Sequence, residues 1–234
     1  EEITGEWCGW CPYGAEIMEN SIAANPGKVI GIAIHTSDPM EIAAAKTFHN
    51  QTMNPDTVGV PRGSVERAAA KGRATWMSDI NSALTEVAEL GIAMQSVKSG
   101  DLVDLNVYVG YNSTILDDLS LTIAIIENHV PQSSPNAQKV FDNGNPSTTL
   151  KPLPAGWMHS HVLRGFITNN IAGDPLVLSS GNHTVISFTG IDLSSFTFND
   201  IANVHIAAFV HSRDSPGDVY NAQEVGLNEV KAWD

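Results

Sequence analysis

The chain has 234 residues, 42% hydrophobic and 16% charged. That is enough apolar material to bury a core, which rules out wholesale disorder. Asp plus Glu number 26 against 12 Lys plus Arg, and the net charge of -14 opposes nucleic acid and anionic membrane surfaces as partners. No run of about 18 apolar residues is present, so the sequence holds no membrane-spanning helix. No basic and apolar leader opens it either. Its only cysteines, Cys8 and Cys11, exclude a multi-disulfide scaffold and a four-cysteine zinc site.

Composition shifts near residue 91. Residues 1–90 hold nine Glu and three Asp, whereas 91–234 hold three Glu and eleven Asp. Glu favours helices and Asp favours turns and caps. The division predicts an α/β domain over 1–90 and an all-β sandwich domain over 91–234.

In the first part a helix is expected from about Pro12 to Ala24, stopped by Asn25-Pro26-Gly27. A buried strand, Val29 to Ile34, follows. A second helix is expected from Ser37 to about His49, then a turn-rich stretch to Val58. Val60-Pro61 precedes a short strand, Gly63 to Val65. A third helix is expected from about Ala74 to Leu90, with Trp76, Ile80, Ala83, Leu84, Val87 and Leu90 on one face. In the second part the period becomes 2, as in Val103, Leu105, Val107 and Val109. Leu119 to Ile125 and Val204 to Val210 repeat it. Weaker strands are expected at Gly91–Val97, His161–Ile167, Thr184–Thr189 and Val219–Leu227, which suits a sandwich. The connection from Pro131 to Trp157 is long and rich in turn residues, a mark of functional loops.

The segment Trp7-Cys8-Gly9-Trp10-Cys11-Pro12 carries the strongest chemical signal. A Cys-x-x-Cys pair at a helix start places a sulfur where unpaired N–H groups and the helix dipole favour an anion, and the thiolate is the attacking species. Cys8 is the candidate nucleophile. Cys11, one turn on, is the candidate resolving thiol. The competing reading is a static disulfide that closes the helix start, kept oxidised in an exported compartment.

Over 1–90 these residues resemble thioredoxin-like proteins: Trp7 precedes the first cysteine, strands alternate with helices, and Val60-Pro61 opens a strand. The resemblance implies a cis bond before Pro61 beside the cysteines. It also implies an acid near Glu2 that moves protons for Cys11, although a solvated terminal carboxylate is the plainer reading of Glu2. The resemblance adds Trp7, Trp10 and Pro61 to the site as an apolar frame around Cys8. Arg62 departs from the pattern, where many thioredoxin-like proteins carry Thr.

Over nearly the whole chain, Ile3-Thr4-Gly5-Glu6-Trp7-Cys8, Gly59-Val60-Pro61-Arg62-Gly63, His161-Val162-Leu163-Arg164 and Tyr220-Asn221-Ala222-Gln223 resemble the outer-membrane lipoprotein family related to a 28-kilodalton protein of Gram-negative bacteria. That resemblance implies export, an outer-membrane, periplasmic or cell-surface location, and a lipid anchor, where there is one, outside this sequence. Two functions follow: a thiol–disulfide oxidoreductase acting on exported proteins, or a non-catalytic surface binding protein with a structural disulfide. Access to Cys8 discriminates them.

Other signals have plain readings. His159 and His161 are spaced to share a strand face and, with His205 or His211, suit a metal, but polar strand or loop residues explain them as well. Asp117-Asp118 and Asp142-Asn143-Gly144-Asn145 read as turns without EF-hand spacing. No nucleophile elbow, phosphate loop or dinucleotide fingerprint occurs. The expected partners are other exported proteins, and no cofactor or metal is called for.

Overall fold

A computed structural model describes residues 1–44, 59–111, 118–142, 150–179, 182–213 and 218–233. The protein is mostly β with few helices. It divides into two compact units, Glu1–Thr85 with Glu127–Leu163, and Glu86–Ile126 with Arg164–Asp234.

The first unit is built on short strands. Glu2–Thr4 pairs in parallel with Ala33–His35 and antiparallel with Arg62–Gly63. Arg62–Gly63 continues to Lys71–Gly72, and Val162 pairs in parallel with Ala33 on the far side, so the sheet is mixed. Helix α1, Cys11–Ala24, places Pro12 in its first turn, where the missing N–H costs nothing. It buries Cys11, Gly14, Met18 and Ser21, spaced for one helical face. Asn25 closes it, donating from its backbone to Ser21 and Ile22 and from its side chain to Ser21.

Three expectations shift in this unit. The strand expected over 29–34 is confined to Ala33–His35. Residues 38–42 are not helical, and the rest of the helix expected to about His49 falls largely outside the described residues. Helix α2 runs only from Trp76 to Ala83 and follows a single 3-10 turn, Arg73–Thr75. It stops where the Thr85 hydroxyl donates to the Ser82 carbonyl, a local bond that competes with helix continuation. Val87 is therefore 91% exposed rather than core. Leu90 instead opens the strand Leu90–Ser99.

The second unit has two sheets. One orders His183–Asp192, Leu102–Tyr111, Leu90–Ser99 and Val230–Lys231. The other orders Val219–Gly226, Val204–Ser212 and Leu119–Glu127, with Asp174–Leu176 also paired to Leu119–Glu127. Ile92, Met94, Val103, Leu105, Val107 and Val109 of the first sheet share one buried cluster with Leu121, Ile123, Ile125, Ile206, Ala208 and Val210 of the second. Each of the Val, Leu, Ile and Met side chains among these contributes about 1.5–3 kcal/mol by leaving water. Leu119–Glu127 is buried on both faces, so its alternating polar residues do not face solvent. Thr122, for example, is hydrogen-bonded to His211 at 2.9 Å.

A single cut after residue 90 therefore differs from the observed division in two respects, the smaller being that residues 86–90 belong with the second unit. Residues 127–163, expected as part of the β domain, belong with the first unit. Backbone bonds explain this, because Lys139 donates to Glu6 and Phe141 donates to Gly9.

Candidate functional site

The strand Glu2–Thr4 delivers the chain to the cysteine motif through a tight turn at Gly5. A Cβ on Gly5 would lie 2.5 Å from Trp7 Nε1 and 2.9 Å from the Thr36 carbonyl oxygen. Trp7 Nε1 donates to that same carbonyl at 2.8 Å, which fixes the indole while leaving the residue 48% exposed. Cys8 N–H then donates to the Gly5 carbonyl. Cys8 and Cys11 form a disulfide with S–S 2.04 Å and Cα–Cα 5.4 Å, and both are buried, at 4% and 1% exposure. The helix begins at Cys11 with Trp10 as its N-cap. Cys8 thus lies in the turn before the helix, not in its first turn as the spacing suggests, because Pro12 takes the helix's second position.

The Val60–Pro61 bond is cis, and Cys8 Sγ lies 3.7 Å from the Val60 carbonyl oxygen. A disulfide sulfur has no proton to donate, so this contact reports placement rather than a hydrogen bond. Pro61 is buried. Trp10 packs its ring against Tyr13 and Phe141, centroids 6.1 and 5.2 Å away, with the Arg73 guanidinium 4.3 Å over it. The expected apolar frame around Cys8 is thus partly taken up by the chain itself.

Phe141 belongs to the long connection after Pro131, which supplies further contacts to the motif. Gln138, 2% exposed, donates from Nε2 to the Cys8 carbonyl at 3.2 Å and to the Lys139 carbonyl at 2.7 Å. Lys139–Phe141 runs along the motif, with Lys139 N–H on the Glu6 carbonyl and Phe141 N–H on the Gly9 carbonyl. The Tyr13 hydroxyl donates to the Phe141 carbonyl at 2.7 Å. Along its other edge this strand pairs with Leu150–Pro152.

Glu2 corrects the plainer reading of the sequence. It is 2% exposed rather than solvated, because both strand neighbours flank it and Trp76 closes the space behind. Its Oε1 makes no hydrogen bond among the described residues. A Cβ on Gly14 would lie 2.6 Å from that oxygen and 3.0 Å from the Trp76 ring, so the carboxyl sits against α1 three residues beyond Cys11. Burial pushes the Glu2 carboxyl up to about 8, against the opposing pull of the amino-terminal charge.

A second polar cluster beside the motif has no counterpart in the sequence reading. Glu6 accepts from the Ser133 N–H at 2.7 Å and from the Ser133 hydroxyl. Glu6 N–H donates to Asp38 Oδ2 at 2.9 Å, and His35 Nδ1 is 2.7 Å from the same oxygen. His159 Nε2 lies 3.5 Å from Glu6 Oε1, and its ring meets His35 edge-on at 4.9 Å. Burial raises the Asp38 carboxyl, but the His35 contact and the N–H bonds from Glu6 and Met40 outweigh it and hold Asp38 below its ordinary range. The sequence sets His159 apart only through its spacing to His161, and nothing local joins it to Glu6, because the Glu6 partners Asp38, Ser133 and His159 all lie far along the chain. His161 lies apart from this cluster at φ 57°, with Nε2 3.6 Å from Glu19. His205 faces Glu224 at 2.8 Å and His211 faces Thr122. Among the described residues no three His, Cys, Asp or Glu converge to hold a metal. Of the oxygen-rich turns, 117 and 143–145 lie outside the described residues.

Residues 49–231 match the family model described as outer membrane protein Omp28. The chain belongs to the Omp28 family. Membership places it among exported, outer-membrane-associated proteins. The matched span begins after Cys11, so it carries no information about the disulfide. No curated protein matches the chain. Among solved structures, the chain is similar to HBP35 of Porphyromonas gingivalis, with 19% identity, a TM-score of 0.70, and coverage of 97% of this chain and 74% of that one. At that identity the likeness shows a shared fold.

Proposed function

We propose that this Omp28-family chain is a non-catalytic, outer-membrane-associated binding protein whose thioredoxin-like first unit carries a structural Cys8–Cys11 disulfide. One observation carries the reading: both cysteines are bonded and buried, with Gln138–Phe141 hydrogen-bonded along the motif. A partner's thiolate must reach a disulfide sulfur in order to exchange with it. The bound partners in this reading are other exported proteins. An insulin-reduction assay comparing the oxidised chain with Cys8→Ser tests it. Equal activity at the background rate is the expected result, and turnover lost only in Cys8→Ser overturns it.

A second reading, thiol–disulfide exchange, is favoured by the placement of Cys8 Sγ beside the Val60 carbonyl and of the buried Glu2 carboxyl against α1. In that reading Cys8 is the attacked sulfur, Cys11 the leaving one, and Glu2 a proton carrier for the reduced pair. Trp7, Trp10 and Pro61 frame the approach.

A further inference from the structure

We infer that the strand His183–Asp192 pairs along its free edge with the same strand of a second copy of the chain, antiparallel about a two-fold axis. This surface lies wholly in the second unit, at one edge of its four-stranded sheet.

The two edges of that sheet differ. At one, the strand Val230–Lys231 is two residues long and carries a lysine. Its neighbour Leu90–Ser99 is tied down beside it. Asn221 Nδ2 donates to the Leu90 carbonyl at 2.8 Å, the Ser96 N–H to the Glu229 carbonyl at 3.0 Å, and the Ser96 hydroxyl to the Gly226 carbonyl at 2.6 Å. Short length, a lysine and cover all keep an edge from pairing with another chain. At the other edge, His183–Asp192 runs for ten residues. Among the described residues it pairs with Leu102–Tyr111 alone. Ser179 holds its start, donating from its N–H to the Thr184 hydroxyl and from its own hydroxyl to the His183 carbonyl. The register shifts between Phe188 and Ile191, so the regular free run lies between those two points.

The same edge is unfinished in its packing. Ile186, Phe188 and Ile191 lie against the core cluster yet stay only half-buried, whereas Val103, Leu105, Val107 and Val109 of the neighbouring strand are fully buried. Val185 is 46% exposed. An added strand with alternating apolar and uncharged side chains completes this burial and takes up the free backbone groups. Charge selects a second copy as that strand. A net charge of -14 sets most surfaces of two copies against each other, but His183 to Ile191 holds no Asp, Glu, Lys or Arg. Antiparallel self-pairing sets the Ile186 and Phe188 row of one copy beside that of the other. It also keeps the two Asp192 carboxylates at opposite ends, where parallel pairing would bring them together. Such a contact is self-complementary and closes at two copies. Its short regular run makes the dimer weak and concentration-dependent.

Sedimentation of the full chain from about 1 to 200 μM tests the pairing. Wild type should pass from monomer to dimer over that range. Val185→Lys combined with Ser187→Lys should weaken the dimer at least about tenfold, because antiparallel pairing brings the lysines of the two copies together. Val230→Lys, at the opposite edge of the sheet, should leave it unchanged. Hydrogen exchange of wild type at the two ends of the range needs no variant and keeps the test decisive if the double lysine chain misfolds. Amides of residues 185–189 should exchange more slowly in the concentrated sample. A chain that stays monomeric throughout overturns the inference and leaves the edge to a strand from another protein. A dimer that the paired lysines leave intact, or that Val230→Lys dissolves, also overturns it, because another surface then joins the copies. Exchange at 185–189 that does not change with concentration does the same.

Discussion

The two units are held together in different ways. In the second, long strands place an unbroken set of apolar side chains in one cluster, with Ile92, Met94, Val107, Ile123, Ile125 and Ile206 fully buried. In the first, strands of two or three residues leave little pairing. Polar side chains do much of the joining there: Glu6 to Ser133, Asp38 to His35 and Glu6, Gln138 to Cys8. The difference teaches where each property sits. Apolar burial is non-directional and supplies stability. Hydrogen-bonded networks fix individual groups in place, and they surround the disulfide.

Breaking the apolar side of this contrast should have the largest effect. Ile123→Ala should cost about 2–5 kcal/mol in denaturant unfolding, whereas a substitution of similar size at Met18, which is 8% exposed, should cost less. Equal costs would erase the contrast. The next effect belongs to Glu2. Its folded pKa is raised to about 8 from the ordinary 4.5, so the folded state holds a proton that the unfolded state releases. Stability is then full below about 4.5, falls as pH rises, and levels off above about 8. The loss should be on the order of 3 kcal/mol, less than the full shift converts to, because a buried site relaxes on ionising. Glu2→Gln should flatten the pH profile of the melting temperature across that window, and a profile unchanged by the substitution would contradict the burial of Glu2. The smallest effect is expected from the disulfide. It closes a loop between residues only three apart, so reduction should cost about 2 kcal/mol on chain-entropy grounds. A much larger loss in a reduced-versus-oxidised melt would make the pair a main structural staple of the first unit.

What the sequence made legible follows the same contrast. The period of 2 over Val103 to Val109 corresponds to the strand Leu102–Tyr111 with its inward side chains fully buried. The helix over Pro12 to Ala24 appears as Cys11–Ala24 because Pro12 and Asn25-Pro26-Gly27 are strong local punctuation. Local signals failed where distant partners decide. Val87 and Leu90 fit a helical face, yet the helix ends at Ala83 and Leu90 pairs with Tyr111. Glu2 looked terminal and solvated until two strands enclosed it. The join of Glu6 to Ser133 and of Cys8 to Gln138 spans 127 and 130 residues, and no periodicity encodes such a contact.

The central claim is that the folded chain shields its disulfide. Its most direct measurement is the rate at which dithiothreitol reduces Cys8–Cys11 in the native chain compared with the chain in denaturant, followed by timed alkylation and mass. The account predicts reduction at least about tenfold slower in the native chain, set by displacement of Gln138–Phe141 rather than by the reductant's own reactivity. Equal rates in the two states would contradict it and show a disulfide open to exchange.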